Sequence, residues 1–198
     1  MKHYKSVDNP DHDEPWKKAV NVFREGDKAG ALFLFKKLAN EGCAPALVEI
    51  GNIYEQGGGG VKQNFEKAIR WYLRSVEVLD DPQAHLGLGR IYLLHAGSEK
   101  DYANAYYHLS LLDEEEMGAL YALGYLFEFG LGVPKDEKKA IEFYQEASRL
   151  GHILALRNLA RILIKSSFFK GLAVWFKACY LIFKTVLRNP SDRRLSIR

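Results

Sequence analysis

The residues with the right types and spacing for chemistry form a short set, and each grouping can be weighed against what its chemistry requires. The run Gly57-Gly58-Gly59-Gly60-Val61-Lys62 has the glycine content of a phosphate-cradling loop. Such a loop needs a preceding strand and a Gly-Lys pair followed by Ser or Thr, whereas Gln63 follows here. The run is therefore read as an interhelical loop. The six histidines, His3, His12, His85, His95, His108 and His152, form no HExxH or His-x-His arrangement. His12 stands among Asp11, Asp13 and Glu14 and reads as part of a solvated leader, because a cluster without a scaffold does not hold metal geometry. The carboxylates from Asp113 to Glu116 are placed to complement the N-terminus of a following helix rather than to serve as an acid and base. Cys43 has no base at motif spacing, and no Ser, His and Asp set falls on a nucleophile elbow. The expectation is a non-enzymatic chain with no catalytic residue, no metal site and no cofactor.

Composition fits that expectation. The chain is 47% hydrophobic and 27% charged, with eleven Tyr and eleven Phe, enough to bury a sizeable core. Met1 to Pro10 lacks the apolar run of a secretory signal, so a cytoplasmic location is expected. Cys43 and Cys179 show no CxxC and are expected as reduced, buried residues. The net charge of +3 hides an asymmetry: residues 151–198 hold ten of the 28 Lys and Arg but one of the 25 Asp and Glu. A cationic last quarter is thus joined to a mildly acidic body.

The elements that must position any site follow from an internal repeat. A pattern of Ala, five residues, Gly, three residues and an aromatic occurs as Ala46-Gly51-Tyr54, Ala84-Gly89-Tyr92 and Ala119-Gly124-Phe127, with a degenerate copy at Ala155-Ala160-Leu163. The spacing of about 36 residues is that of two-helix repeats. A second column, Ala31, Ala68, Ala105, Ala140 and Ala173, opens runs of bulky residues such as Ala68-Ile69-Arg70-Trp71-Tyr72. Each repeat therefore reads as helix A, a loop and helix B, with Trp16 to Glu25 as the first helix A and Gly26-Asp27 as its turn. Glycine inside a helix costs about 0.8–1.0 kcal/mol relative to Ala, so its recurrence in register predicts close helix crossing. Asp136 is placed to cap a helix B. The fold class predicted is an all-α solenoid of helix-turn-helix repeats. A flexible leader over 1–14 precedes a single repeat domain over 15–187, in repeats of about 15–42, 43–80, 81–115, 116–150 and 151–187, and a basic tail covers 188–198.

The stretch Ala119 to Gly151, with its Gly130-Leu131-Gly132-Val133-Pro134 loop, resembles the Sel-one-like repeat, a branch of the tetratricopeptide superfamily. Ala46 to Val76 resembles it almost as well, and Ala84 to Leu112 is similar but lacks the Gly-x-Gly-Val loop. The resemblance implies a right-handed α-solenoid used as a scaffold or adaptor of protein assemblies, common in bacteria. Some secreted relatives with a disulfide in every repeat are linked to β-lactam binding. The two cysteines here do not recur with the period, so a β-lactam-binding or hydrolysing enzyme is only the second alternative.

In such a solenoid the A helices line a concave face. One column of that face is Asn52, Arg90, Tyr125 and Arg161, and another runs Val48, Leu86, Tyr121 and Arg157. Tyr and Arg there suit a protein or peptide partner. The segment from Phe168 to Leu187 is apolar on nearly every helical face, with Phe168, Phe169, Trp175 and Phe176 prominent and Lys170, Lys177 and Lys184 on one stripe. A terminal helix this apolar departs from a polar solenoid cap and predicts contact with a partner or a second copy of the chain. The first alternative is a peripheral membrane-associated assembly factor at an anionic surface, at the inner membrane. Nucleic acid is a poor fit, because the basic residues are interleaved with core-type side chains.

Overall fold

The computed structural model describes residues 13–95, 97–113, 115–166 and 168–188, and the described residues form ten helices and no strand. The helices are α1 (Asp13–Arg24), α2 (Lys28–Asn40), α3 (Ala46–Gln56), α4 (Phe65–Leu79), α5 (Pro82–Leu94), α6 (Glu99–Ser110), α7 (Met117–Phe129), α8 (Glu137–Arg149), α9 (Ile153–Ser166) and α10 (Phe168–Arg188). Residues 1–12 of the leader, including His3 and His12, and residues 189–198 of the tail lie outside the described residues, while Asp13 and Glu14 open α1 and Arg188 ends α10.

The chain divides into two compact units, Met1–Ile91 and Tyr92–Arg198. In the first, α1 packs on α2, α2 on α3 and α3 on α4. In the second, α6 packs on α7, α7 on α8, α8 on α9 and α9 on α10. The A helices α3 and α7 are enclosed on almost every side: α3 buries Ala46, Leu47, Val48, Ile50, Gly51, Ile53 and Tyr54, whereas α1 buries Ala19 alone among its described residues. The B helices bury one stripe only, Ala68, Tyr72 and Ser75 in α4 and Ala140, Tyr144 and Ala147 in α8. That difference follows from composition, since α4 and α8 interleave charged residues between their apolar positions.

Side-chain caps begin the helices where the repeat places polar residues. Asn64 Oδ1 accepts from the Lys67 amide at 2.8 Å, and Asp136 Oδ1 accepts from Lys138 and Lys139 at 3.0 and 3.1 Å, as its position predicts. The glycine-rich loop after α3 is docked on the start of α2. Gly59 accepts from the Ala29 amide at 2.9 Å, and a Cβ on Gly59 would stand 2.3 Å from the Gly26 carbonyl oxygen. The loop after α7 repeats the arrangement on the start of α6: the Gly132 amide donates to Glu99 Oε1 at 2.6 Å, and a Cβ on Gly132 would fall 2.4 Å from backbone of Tyr102 and Ala103. These glycines serve close backbone approach, which accounts for the run without a phosphate.

The recurring Ala of helix B is fully buried in Ala31, Ala68, Ala105 and Ala140. The position one turn later is buried as Phe35, Tyr72, Leu109 and Tyr144. In α10 this register is lost: Ala173 and Lys177 are exposed, and Gly171, Ala178 and Thr185 face inward. A Cβ on Gly171 would stand 2.3 Å from the Ile164 amide nitrogen, so α9 and α10 meet closely at glycine, and that contact sets the rotation of α10. Cys43 is buried as expected, whereas Cys179 is half-buried; both are free thiols.

The small residues of the A helices are notches for tyrosine. A Cβ on Gly51 would stand 2.5 Å from the Tyr72 ring, one on Gly87 would stand 2.6 Å from its other edge, and one on Gly124 would stand 2.8 Å from the Tyr144 ring. Gly51→Ala therefore sets an intrinsic helix gain of about 0.8–1.0 kcal/mol against overpacking of about 1–3 kcal/mol. Urea unfolding is expected to show a net loss for Gly51→Ala in the native background and a gain of about 1 kcal/mol when Tyr72→Leu is already present. The same sign in both backgrounds would contradict the notch.

Candidate functional site

The tyrosines seated in these notches carry their hydroxyl groups into buried polar clusters, one in each compact unit. In the first, the Tyr72 hydroxyl lies 2.7 Å from both Asn52 Oδ1 and Glu55 Oε2, and its single proton serves one of the two. Arg90 Nε and Nη2 donate to the two oxygens of Glu55 at 2.6 and 2.5 Å, a bidentate pair whose side chains are only 19% and 12% exposed. In the second, the Tyr144 hydroxyl donates to Glu128 Oε2 at 2.8 Å, Arg161 Nη2 donates to Glu128 Oε1, and Asn158 Nδ2 donates to the Tyr144 oxygen at 3.3 Å.

Both clusters occupy the same places in the repeat. The Glu follows the notch glycine by four residues, the Tyr follows the helix-B Ala by four, and the Arg follows the next recurring small residue by one. Each cluster thus joins a helix A, its helix B and the helix A after it. In the third repeat these places are Leu93, Leu109 and Tyr125: the ionic set is absent as a whole, and both leucines are buried.

Burial, and then the adjacent Glu55 carboxylate, drives the Tyr72 phenol far above its usual range. Burial does the same for Tyr144, where the Asn158 bond opposes it and Glu128 adds to it. Burial alone would lower the Arg90 pKa, but its bonds to Glu55 raise it. Burial also pushes the Glu49 carboxyl up, against the Asn52 bond, and pushes the Cys43 thiol up, away from the thiolate that a nucleophile needs. Among the described residues no group of three or more His, Cys, Asp and Glu could hold a metal ion.

The residues singled out for partner contact divide between the buried clusters and the surface. Asn52 and Arg90 are half-buried within the first cluster. Tyr121 is 4% exposed, with its ring stacked on His152 at 4.4 Å and its hydroxyl accepting from Asn158 at 3.4 Å. Arg161 belongs to the second cluster, and its guanidinium lies 5.8 Å from the Phe129 ring. Tyr125 is half-buried against Phe129, and Arg157 is exposed. Phe169, Lys170, Trp175, Phe176, Lys177 and Lys184 are all exposed on α10, while the Phe168 side chain lies outside the described residues. Sequence reasoning passed over Glu55 and Glu128; the signal available for them was a carboxylate recurring four residues after the notch glycine.

A group whose folded pKa is raised stabilises the fold fully below its unfolded pKa, about 10 for Tyr, and loses that contribution as pH rises through the folded value. Phenolate absorbance is thus expected to leave Tyr72 and Tyr144 protonated past about pH 10 until the chain unfolds, with Tyr72→Phe removing one late phenol. Reversible titration of all eleven tyrosines near that pH in the folded protein would contradict the buried clusters.

Comparison with known proteins agrees with this repeat architecture. The Sel1 repeat model matches residues 44–77, 82–111 and 118–152. The Arabidopsis thaliana protein HRD3A, an ERAD-associated E3 ubiquitin-protein ligase component, is 35% identical over 73% of this chain and 24% of its own length. The Saccharomyces cerevisiae chitin synthase regulator SKT5 is 30% identical over 65% of this chain and 20% of its own. The chain thus spans about a quarter or less of either relative. Among solved structures, c5321, a protective antigen of uropathogenic Escherichia coli displaying an SLR fold, aligns with a TM-score of 0.68 and 28% identity over 85% of this chain and 38% of that one. A Sel1 repeat protein from Oxalobacter formigenes aligns with a TM-score of 0.67 and 25% identity over 92% and 76% of the two chains. With three matched repeats and buried clusters recurring in register, the chain belongs to the Sel1 repeat family.

Proposed function

We propose that this protein is a non-enzymatic scaffold that holds a partner protein, with the outer face of α10 as its principal docking surface and the half-buried Tyr125 and exposed Arg157 as secondary contacts. One observation carries the reading. Phe169, Ala173, Phe176, Tyr180, Phe183 and Leu187 are spaced alternately four and three residues apart, and all six are exposed. The large members are 83%, 60%, 62%, 66% and 70% exposed. That spacing is the seam by which one helix packs on another. Contiguous apolar surface of this kind marks interaction sites in soluble proteins. Lys170, Lys177 and Lys184 each follow a seam phenylalanine and line one flank. No Asp or Glu occurs in α10, so a second copy of the helix has nothing to pair with those lysines, and a heterologous partner bearing carboxylates fits better. The relatives are named as a ligase component and as a chitin synthase regulator, and names of that kind support the scaffold class.

A second reading rests on the same row of lysines beside Trp175, Tyr180 and three phenylalanines. That combination also suits a helix lying at an anionic membrane surface. No described helix is long and apolar enough to cross a membrane.

Benzoylphenylalanine placed at Phe176 and at Phe183, and at the exposed Phe33 of α2 as a control, separates these readings in cells. The expected outcome is one discrete adduct heavier than the 22.5 kDa chain, at both α10 positions and absent at Phe33. Once purified, that partner should lose at least tenfold affinity for the Phe176→Asp, Phe183→Asp chain. An adduct at twice the chain mass, or no protein adduct together with sedimentation on anionic but not neutral liposomes, would overturn the scaffold reading.

A further inference from the structure

The first compact unit holds a cleft that the clusters and α10 leave unused. It is open along one side, about 450 Å³ in volume, and lined by Lys36, Tyr54, Lys67, Arg70, Trp71 and Arg74. Four of the six lining residues are cations and none is acidic. Lys36 comes from α2, Tyr54 from α3 and the other four from α4, so three helices build it.

The rings hold the cations in place. Lys36 Nζ donates to the Tyr54 hydroxyl at 2.9 Å, and the ammonium groups of Lys36 and Lys67 lie 5.4 and 5.3 Å from the centre of the Tyr54 ring. The Arg74 guanidinium lies 5.6 Å from the centre of the Trp71 ring. Such contacts orient long side chains that would otherwise move freely. Tyr54 is buried to 8% exposure, so its ring is a fixed platform. Among the described residues, Lys36, Lys67 and Arg70 form no ion pair. Gathering those three like charges is unfavourable, and an anionic ligand relieves it.

The arrangement selects among anions. Lys67, Arg70 and Arg74 stand at i, i+3 and i+7, on one face of α4, and extend over about 10 Å at 1.5 Å per residue. A single small anion uses only part of such a row. An extended peptide presents same-face side chains about 6.6–6.8 Å apart, so two or three carboxylates fit along it, within reach of flexible Lys and Arg stems. The Tyr54 and Trp71 rings then take an apolar side chain from the same segment.

We infer that this cleft binds an extended acidic peptide segment carrying at least two carboxylates on one face and an apolar residue between them. The inference deepens the scaffold reading and rests on it only for the choice of a peptide; the site itself is separate from α10. It gives the protein two recognition surfaces of different chemistry, one basic and one apolar.

The test is fluorescence anisotropy with the full chain in 0.15 M salt. The probe is a fluorescein-labelled twelve-residue peptide alternating Glu with Ala, one Ala replaced by Phe, and its Gln counterpart is the control. The Glu peptide should bind at least tenfold more tightly than the Gln peptide. Lys67→Glu with Arg70→Glu, both exposed positions, should weaken it at least tenfold with helicity unchanged. Lys170→Glu with Lys177→Glu, the same charge change on α10, should leave it within threefold. Equal weakening by both pairs would mean non-specific attraction and would overturn the site. So would equal binding of the Gln peptide, or displacement by single-stranded nucleic acid at lower concentration than by unlabelled Glu peptide. The Phe176→Asp, Phe183→Asp chain keeps the two proposals apart: loss of the cross-linked partner with peptide binding retained would leave the cleft standing on its own.

Discussion

A phenol and an ion pair buried between helices must be complete or absent. The carboxylate of Glu55 is desolvated among Tyr72, Asn52 and Arg90, and removal of any one partner strands a buried polar group. Because Glu, Tyr and Arg come from three successive helices, the requirement ties those helices into one register. The glycine notch is part of the same constraint: the Tyr72 ring reaches its partners only because Gly51 and Gly87 leave room for it. The third repeat meets the same geometry differently, with Leu93, Leu109 and Tyr125 in the three places. Apolar replacement of a whole buried ionic set is often neutral or stabilising, whereas partial replacement is costly, so the concerted change is what physics permits.

In the last helix the constraint is released. The place of Tyr72 and Tyr144 falls to Lys177 and that of Glu55 and Glu128 to Ile164, and the helix turns until Gly171, Ala178 and Thr185 face inward. That rotation puts the Phe169–Leu187 seam outside. The proposed docking face is thus the consequence of a repeat that keeps its length and apolarity but not its polar partners.

The period, the buried Ala column, the cap at Asp136 and the all-α class were legible because each depends on residues close in sequence or on a fixed repeat. The apolar, basic character of the Phe168 to Leu187 stretch was legible too. The roles of Asn52, Arg90, Tyr121 and Arg161 were not, because a column of exposed-type residues looks the same whether it faces solvent or a buried glutamate 33 to 35 residues away. The notch role of Gly87 was not legible beside the recurring Gly89, since only the direction of the Tyr72 ring distinguishes them. The basic cleft escaped as well: Lys36 and Arg74 belong to helices separated by a third, and the α4 cations read along the chain as an ordinary solvated face.

The central claim is that Glu55, Tyr72 and Arg90 act as one unit, interchangeable as a set and not singly. Urea unfolding of two variants tests it most directly. Arg90→Ala, which strands Glu55, is expected to cost about 2–4 kcal/mol, somewhat below a fully buried pair because solvent reaches its edge. The triple change Glu55→Leu, Tyr72→Leu and Arg90→Tyr, which copies the third repeat, is expected to return to within about 1 kcal/mol of the native chain. A silent Arg90→Ala, or a triple variant as unstable as the three single changes combined, would contradict the account.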